Sequence, residues 1–230
     1  MDYLQKKIVV IGAGLSGQAL VRFFCEKGAK VTLSDRREKS QLDGLDGLAD
    51  CDLTLDLGGH DLELFKQADL IAVSPGVPLS IEPLVEARKN GIPLLGEIEI
   101  AVRELKAPLI AVTGTNGKST TTCLIGEMLT GWGRNCFVGG NLGTPLVNAC
   151  NDSYDSLVVE LSSFQLETIE TFSPDFALML NLSEDHLDRY SDFSSYLAAK
   201  EAIFSNMGVG QYAILNDTDG RVHELAVPVA

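Results

Sequence analysis

Short apolar, β-branched runs recur along the chain, each closed by glycine, polar or acidic residues. Residues 7–12 (KIVVIG), 29–35 (AKVTLSD), 52–57 (DLTLDL), 70–74 (LIAVS) and 92–96 (IPLLG) read as strands, and residues 15–27 carry the wider apolar spacing of a helix. Strands that alternate with helical stretches predict parallel sheets with helices on their faces. After Gly96 the helical stretch EIEIAVREL leads to Pro108, and a second series of the same kind begins. Its strands are expected at LIAVTG, NCFVGG, SLVVELS, DFALMLNL and YAILND, with helices near 118–131, 163–170 and 194–206. The boundary is placed between residues 95 and 96. The chain stops soon after the last strand, so the second sheet is expected to be incomplete.

Composition narrows the partners. The 230 residues carry 18 Lys plus Arg against 32 Asp plus Glu, a net charge of -14. Such a field repels polyanions, which argues against nucleic acid or an anionic membrane surface as partner, so any phosphate must be held by local features. The apolar runs are too short to span a bilayer. Cys25, Cys51, Cys123, Cys136 and Cys150 are odd in number and lack CxxC pairs. Free thiols and a cytoplasmic protein are therefore expected. A monomer is also expected.

Gly12, Gly14 and Gly17 form GxGxxG between a strand and a helix, with Asp35 ending the next strand. The glycines permit a tight turn, close approach of a phosphate and close helix packing, and the helix N-terminus offers free N–H groups to a pyrophosphate. Asp35 suits a ribose hydroxyl of NAD, but Arg36 and Arg37 could equally hold another phosphate or a different base. Any ligand built on ribose and diphosphate is allowed, a UDP-sugar included.

A second loop, GTNGKST at 114–120, departs from the strict P-loop because Val112 stands where the first glycine should be. Its physics survives. Amides from Gly114 through Thr115, Asn116 and Gly117 to Lys118 can form an anion nest, with Thr120 following on the helix; Lys118 can reach terminal phosphates, and Ser119 can ligate Mg²⁺. Glu160 closes the apolar run SLVVE and supplies the carboxylate that a metal-bound phosphate needs. Beyond it, Ser162 or Ser163 can cap a helix and Gln165 can hydrogen-bond. His186, in NLSEDHLDRY, can ligate a hard cation, orient a phosphate or simply be solvated. Lys200 has no role that residue chemistry alone assigns.

TGTNGKST at 113–120, GGN at 139–141, ELSSFQLE at 160–167 and NLSEDHLDRY at 181–190, behind IGAGLSG, together resemble the Mur ligase family over essentially the whole chain. The resemblance implies a Rossmann-like domain over residues 1–95 that holds a UDP-linked substrate, and a P-loop-type ATP-binding α/β domain over residues 96–230. Within the family the D-glutamate-adding branch is most similar, which implies UDP-N-acetylmuramoyl-L-alanine and D-glutamate as substrates in peptidoglycan precursor synthesis. Leu15, Ser16, Asp35, Arg36, Ser74 and Gly76 would lie near the UDP part. Lys118 would meet the ATP phosphates, with Ser119 and Glu160 on one Mg²⁺ and His186 on a second. Asn141, Ser162 and Gln165 would contact the acceptor, and Lys200 would be carbamylated to a metal-binding group. The implied reaction makes an acyl phosphate that the amine of D-glutamate then attacks. Family members carry a further C-terminal domain, so activity of these residues alone is doubtful. The competing readings are a non-catalytic nucleotide-binding module, another amide ligase such as a folate polyglutamylating enzyme, and an NAD-dependent dehydrogenase.

Overall fold

The computed structural model describes residues 2–185 and 189–225. It divides into two compact units, Met1–Glu104 and Leu105–Ala230. In the first unit the order is β1 (Lys7–Ile11), α1 (Leu15–Glu26), β2 (Lys30–Asp35), β3 (Leu53–Leu57), α2 (Leu62–Lys66), β4 (Leu70–Val73), α3 (Glu82–Lys89), β5 (Leu94–Gly96) and α4 (Glu97–Val102). Every pairing is parallel and the strand order is β3-β2-β1-β4-β5. The order reverses at β1, which opens a crevice beyond its C-terminal end, where doubly wound sheets take ligands.

Buried side chains explain the layering. Alternation along β1 sends Val9 and Ile11 to one face, where they pack with Phe65, Ile71, Val73, Leu84 and Ala87. α1 covers the other face with Leu20, Val21 and Phe24 fully buried. α4 belongs with this unit: Ile98, Ile100 and Ala101 are buried, and the helix packs against α1, β4 and β5. The division between units therefore falls nine residues beyond the 95/96 boundary expected from sequence, because the helix after Gly96 buries its apolar side on the first sheet.

The second unit runs β6 (Leu109–Thr113), α5 (Lys118–Gly131), β7 (Cys136–Gly140), β8 (Ser156–Glu160), α6 (Ser163–Leu166), β9 (Phe176–Met179), α7 (Phe193–Glu201), β10 (Tyr212–Leu215) and α8 (Gly220–His223). Its sheet is again parallel, ordered β10-β9-β6-β8-β7, with the reversal at β6. α5 lies close on this sheet: Gly126 is buried, and a Cβ there would overlap the Val138 side chain. α6 stops short of the expected residue 170. Thr168 Oγ1 donates to the Gln165 carbonyl at 3.2 Å, so a hydroxyl takes an acceptor that a continuing helix would use. The helix expected over 194–206 is α7 followed by a 3₁₀ turn at Ala202–Phe204.

The two units are thus parallel-sheet α/β domains of the class expected. Gly17→Ala is expected to destabilise the first unit by about 1–3 kcal/mol, because its Cβ would overlap the Gly12 carbonyl beneath α1. Urea unfolding monitored by circular dichroism checks this.

Candidate functional site

In the first unit the turn after β1 sits over the crevice. Gly12 adopts φ 93°, a left-handed conformation, and Ser74 Oγ donates to its carbonyl at 2.9 Å, joining the ends of β1 and β4. α1 opens at Gly14 with no side-chain cap and no acidic residue in its first turn. Its first amides are left to solvent or an anion. Leu15 is 73% exposed beside them, and Gly76 leaves open space in which a Cβ would meet nothing.

Asp35 is committed inside the protein. Its Oδ2 accepts from Ala13 N at 2.7 Å and from Arg37 Nη2 at 2.8 Å, and its Oδ1 accepts from Arg37 N and Arg37 Nε, both at 2.9 Å. These bonds fill the acceptor sites of the carboxylate that a dehydrogenase would turn to a ribose. Asp35 instead fixes the loop, with Arg37 rather than Arg36 as its partner, while Arg36 and Ser16 stand at the surface and the half-buried edge. Burial pushes the Asp35 carboxyl up, but the Arg37 side chain and the two backbone amides outweigh it and hold it well below the usual range.

In the second unit the phosphate-type loop follows β6. Gly117 caps α5 at φ 80° and Gly114 takes φ 144°. A Cβ on Gly114 would crowd Leu180 Cβ at 3.1 Å. Asn181 holds the loop from the end of β9: its Oδ1 accepts from Asn116 N at 2.8 Å, its Nδ2 donates to Asn116 O at 2.9 Å, and its carbonyl accepts from Thr115 N at 2.9 Å. Thr115 Oγ1 accepts from Ser183 N at 3.0 Å and lies 3.1 Å from the Tyr196 hydroxyl. Thr120 follows, exposed, on the first turn of α5.

Glu160 ends β8 beside that loop and is 2% exposed. Ser119 Oγ donates to its Oε2 at 2.6 Å, and Asn141 Nδ2 donates to its Oε1 at 2.6 Å. A hydroxyl, a carboxylate and an amide thus converge at the start of α5. Magnesium takes few protein oxygens and completes its shell with phosphate and water, so Ser119 and Glu160 fit it. Among the described residues no group of three or more His, Cys, Asp and Glu side chains forms a cage of its own. His186 lies outside the described residues.

Lys118 Nζ donates to Thr115 O at 2.9 Å. Lys200 is buried on α7: its Nζ donates to Gly114 O at 2.8 Å and stands 4.9 Å from the Tyr196 ring centroid. Burial and then the charge of Lys118 push its ammonium down to about 7, against the pull of Asp185 and Glu160. Ser162 and Gln165 turn to each other: Gln165 N donates to Ser162 Oγ at 3.3 Å, while Ser162 N and Oγ donate to Gln165 Oε1 at 2.9 and 3.0 Å. They form a capping box for α6.

Lys118, Ser119, Glu160, Asn141 and Lys200 are therefore brought to one edge of one sheet. Sequence reasoning missed Asn181 and Tyr196. An asparagine directly after an apolar strand, level with a glycine loop in the neighbouring strand, was the available signal for the first; a tyrosine four residues before Lys200 was the signal for the second.

The Mur ligase middle-domain profile matches residues 112–227, and the profile of the MurD-like N-terminal domain of Mur ligases matches residues 6–96. The chain belongs to the Mur ligase family. It is 53% identical over 222 residues to a UDP-N-acetylmuramoylalanine--D-glutamate ligase of Syntrophotalea carbinolica, and 48% identical over 232 residues to the protein so named in Geotalea daltonii. Those matches take in 96% and 100% of this chain but 49% and 51% of the relatives, so the chain spans about half their length. Among solved structures, the UDP-N-acetylmuramate-alanine ligase MurC of Thermotoga maritima is 25% identical with TM-score 0.56, over 93% of this chain and 50% of that one. A Neisseria ligase named for UDP-N-acetylmuramate and L-alanyl-gamma-D-glutamyl-meso-diaminopimelate shares the fold with TM-score 0.64 at 18% identity, over 95% and 74%.

Two pH tests follow from these environments. Asp35 is depressed in the folded state, so its contribution is complete above the unfolded value of about 3.9 and is lost as pH falls through the lower folded value. Arg37→Ala should remove part of that acid-limb loss, read by denaturant titration between pH 5 and pH 2. Lys200 has the opposite consequence. The unfolded chain keeps this proton to about 10.4, whereas the folded chain releases it near 7, so stability from this group rises with pH across that interval. In CO₂-free buffer Lys200→Met should flatten that rise in Tm.

Proposed function

We propose that this chain forms the substrate-binding and ATP-binding part of an ATP-dependent amide ligase, which joins D-glutamate to UDP-N-acetylmuramoyl-L-alanine in peptidoglycan precursor synthesis. The observation that carries the reading is the convergence of Lys118, Ser119, Glu160 and Asn141 at one glycine loop. The family assignment and the relatives' names support the choice of substrates.

The reaction needs an anionic carboxylate to approach an anionic triphosphate. The Thr115 and Asn116 amides are spent on Asn181, so these two residues and Gly114 shape the turn. The amides of Gly117 and Lys118 at the start of α5 would hold the phosphate oxygens, with Thr120 beside them, while Lys118 exchanges the Thr115 carbonyl for the terminal phosphate. Ser119 and Glu160 would hold magnesium, which when bound would neutralise charge on the transferring phosphoryl group. A carboxylate oxygen of the alanyl group attacks the γ-phosphorus, ADP leaves, and the product is an acyl phosphate. The amine of D-glutamate then attacks the acyl carbon and inorganic phosphate departs. Asn141, Ser162 and Gln165 would orient the acceptor, and His186 would serve a second metal position.

Lys200 fits carbamylation. The reaction with CO₂ consumes a neutral amine, and a buried lysine pushed down to about 7 supplies one at neutral pH. Carbamylation would also exchange a second cation beside Lys118 for an anion that binds metal. In the first unit Leu15, Ser16, Arg36, Ser74 and Gly76 line the turn that takes the uridine diphosphate, and Asp35 holds that turn in shape. Its saturated carboxylate disfavours the dehydrogenase reading.

Calorimetric titration of this chain should give separate binding of MgATP and of UDP-N-acetylmuramoyl-L-alanine. Lys118→Ala and Glu160→Ala should each weaken MgATP by about tenfold or more, the cost of a lost charged contact, while leaving the uridine ligand within about twofold. In the whole protein both changes should abolish D-glutamate-dependent phosphate release. MgATP affinity that survives both substitutions would defeat the reading.

A further inference from the structure

Side chains alternate along β2, so Ser34 points to the face of the sheet away from Asp35. Ser34 is fully buried, and its Oγ lies 2.7 Å from Asp56 Oδ2 and 2.7 Å from His60 Nδ1. A serine hydroxyl has one proton. Asp56 as a carboxylate can only accept it, so Nδ1 of His60 carries a hydrogen and donates to Ser34 Oγ. The tautomer is thus fixed by the network. Asp61 N donates to the same Asp56 oxygen at 3.2 Å, and the His60 ring stands edge-on to buried Phe65 with centroids 5.9 Å apart.

These contacts fold residues 57–61 back over the end of β2. At the bend Gly58 adopts φ 82°, and its N–H is shared between Asp35 O at 3.1 Å and Arg37 O at 3.0 Å. The hook made by Asp35 and Arg37 is therefore held twice: from the front by Ala13 N, and from behind by the Gly58 amide. The second hold lies between the end of β3 and the turn in which His60 contacts Ser34.

We propose that His60 is a positioning residue for the uridine-diphosphate site, acting through Ser34 and Gly58 to fix the backbone of residues 35–37. The inference rests on the assignment of that ligand to the first unit. His60 need not touch the ligand; its Nδ1 hydrogen is the feature required. Asparagine can place an amide N–H where Nδ1–H stands, whereas glutamine reaches one carbon further and alanine offers no donor.

The test uses this chain with UDP as probe and two measurements: calorimetric affinity, and the hydrogen-exchange rate of the Gly58 amide. His60→Ala is expected to weaken UDP by about fivefold to tenfold and to speed Gly58 exchange by a similar factor, the scale of one lost buried hydrogen bond. His60→Asn should restore both to within about twofold, which general destabilisation would not do. If His60→Ala does not fold, His60→Gln replaces it with the same expected losses. Equal UDP affinity and equal Gly58 exchange in wild type and in the loss variant that folds, alanine or glutamine, would overturn the role of His60 while leaving the ligand assignment standing. A wild-type chain that binds no UDP defeats the ligand assignment itself, and the positioning role with it.

Discussion

Two lysines rest on adjacent carbonyls of one loop: Lys200 on Gly114 and Lys118 on Thr115. Burial and then the charge of Lys118 raise the cost of the Lys200 ammonium. Among the described residues Asp185 and Glu160 pull in the opposite sense on Lys200. The glycine loop presents the Gly114 and Thr115 carbonyls to the lysines while its Thr115 and Asn116 amides are tied to Asn181. In a chain of net charge -14 it concentrates positive potential at one edge of the second sheet. A polyphosphate there would relieve repulsion that the protein otherwise carries.

The two glycine turns share a plan and differ in charge. Both follow the strand at which the sheet order reverses, and both begin a helix that no side chain caps. The first is ordered by an internal ion pair, Asp35 with Arg37, and keeps its organising charges for itself. The second is ordered by a neutral clamp, Asn181 on Asn116, which leaves its lysines and Glu160 for a ligand. A neutral clamp would suit the proposed nucleotide site, whose net charge would change as the ligand arrives.

Most of the fold was legible because parallel buried strands are written as apolar runs closed by glycine or an acid, as in KIVVIG and SLVVE. Among the described residues ten strands emerge where such runs lie. Short helices such as α2 were harder to read, since five residues give too little periodicity to register. Within the site, Lys118, Ser119 and Glu160 were legible from local motif chemistry, whereas Lys200 was not. It lies 86 residues from the Gly114 carbonyl that it contacts, on a helix whose sequence resembles a surface helix. The Asp35 carboxylate shows the converse. Its position was evident, but its saturation by Arg37 depends on a side-chain conformation that a pattern of residue types does not contain.

Gly126 gives the second unit an unusual mechanical property. Because it lets α5 settle against Val138 with no intervening side chain, the helix has little freedom to rock, and its N-terminus, about 12 Å away at 1.5 Å per residue, inherits that stiffness. Bulk added at this pivot would be magnified along the lever into a changed aim of the loop. If the loop takes the proposed nucleotide, drift at this remote position would tune affinity while leaving the loop's own residues untouched.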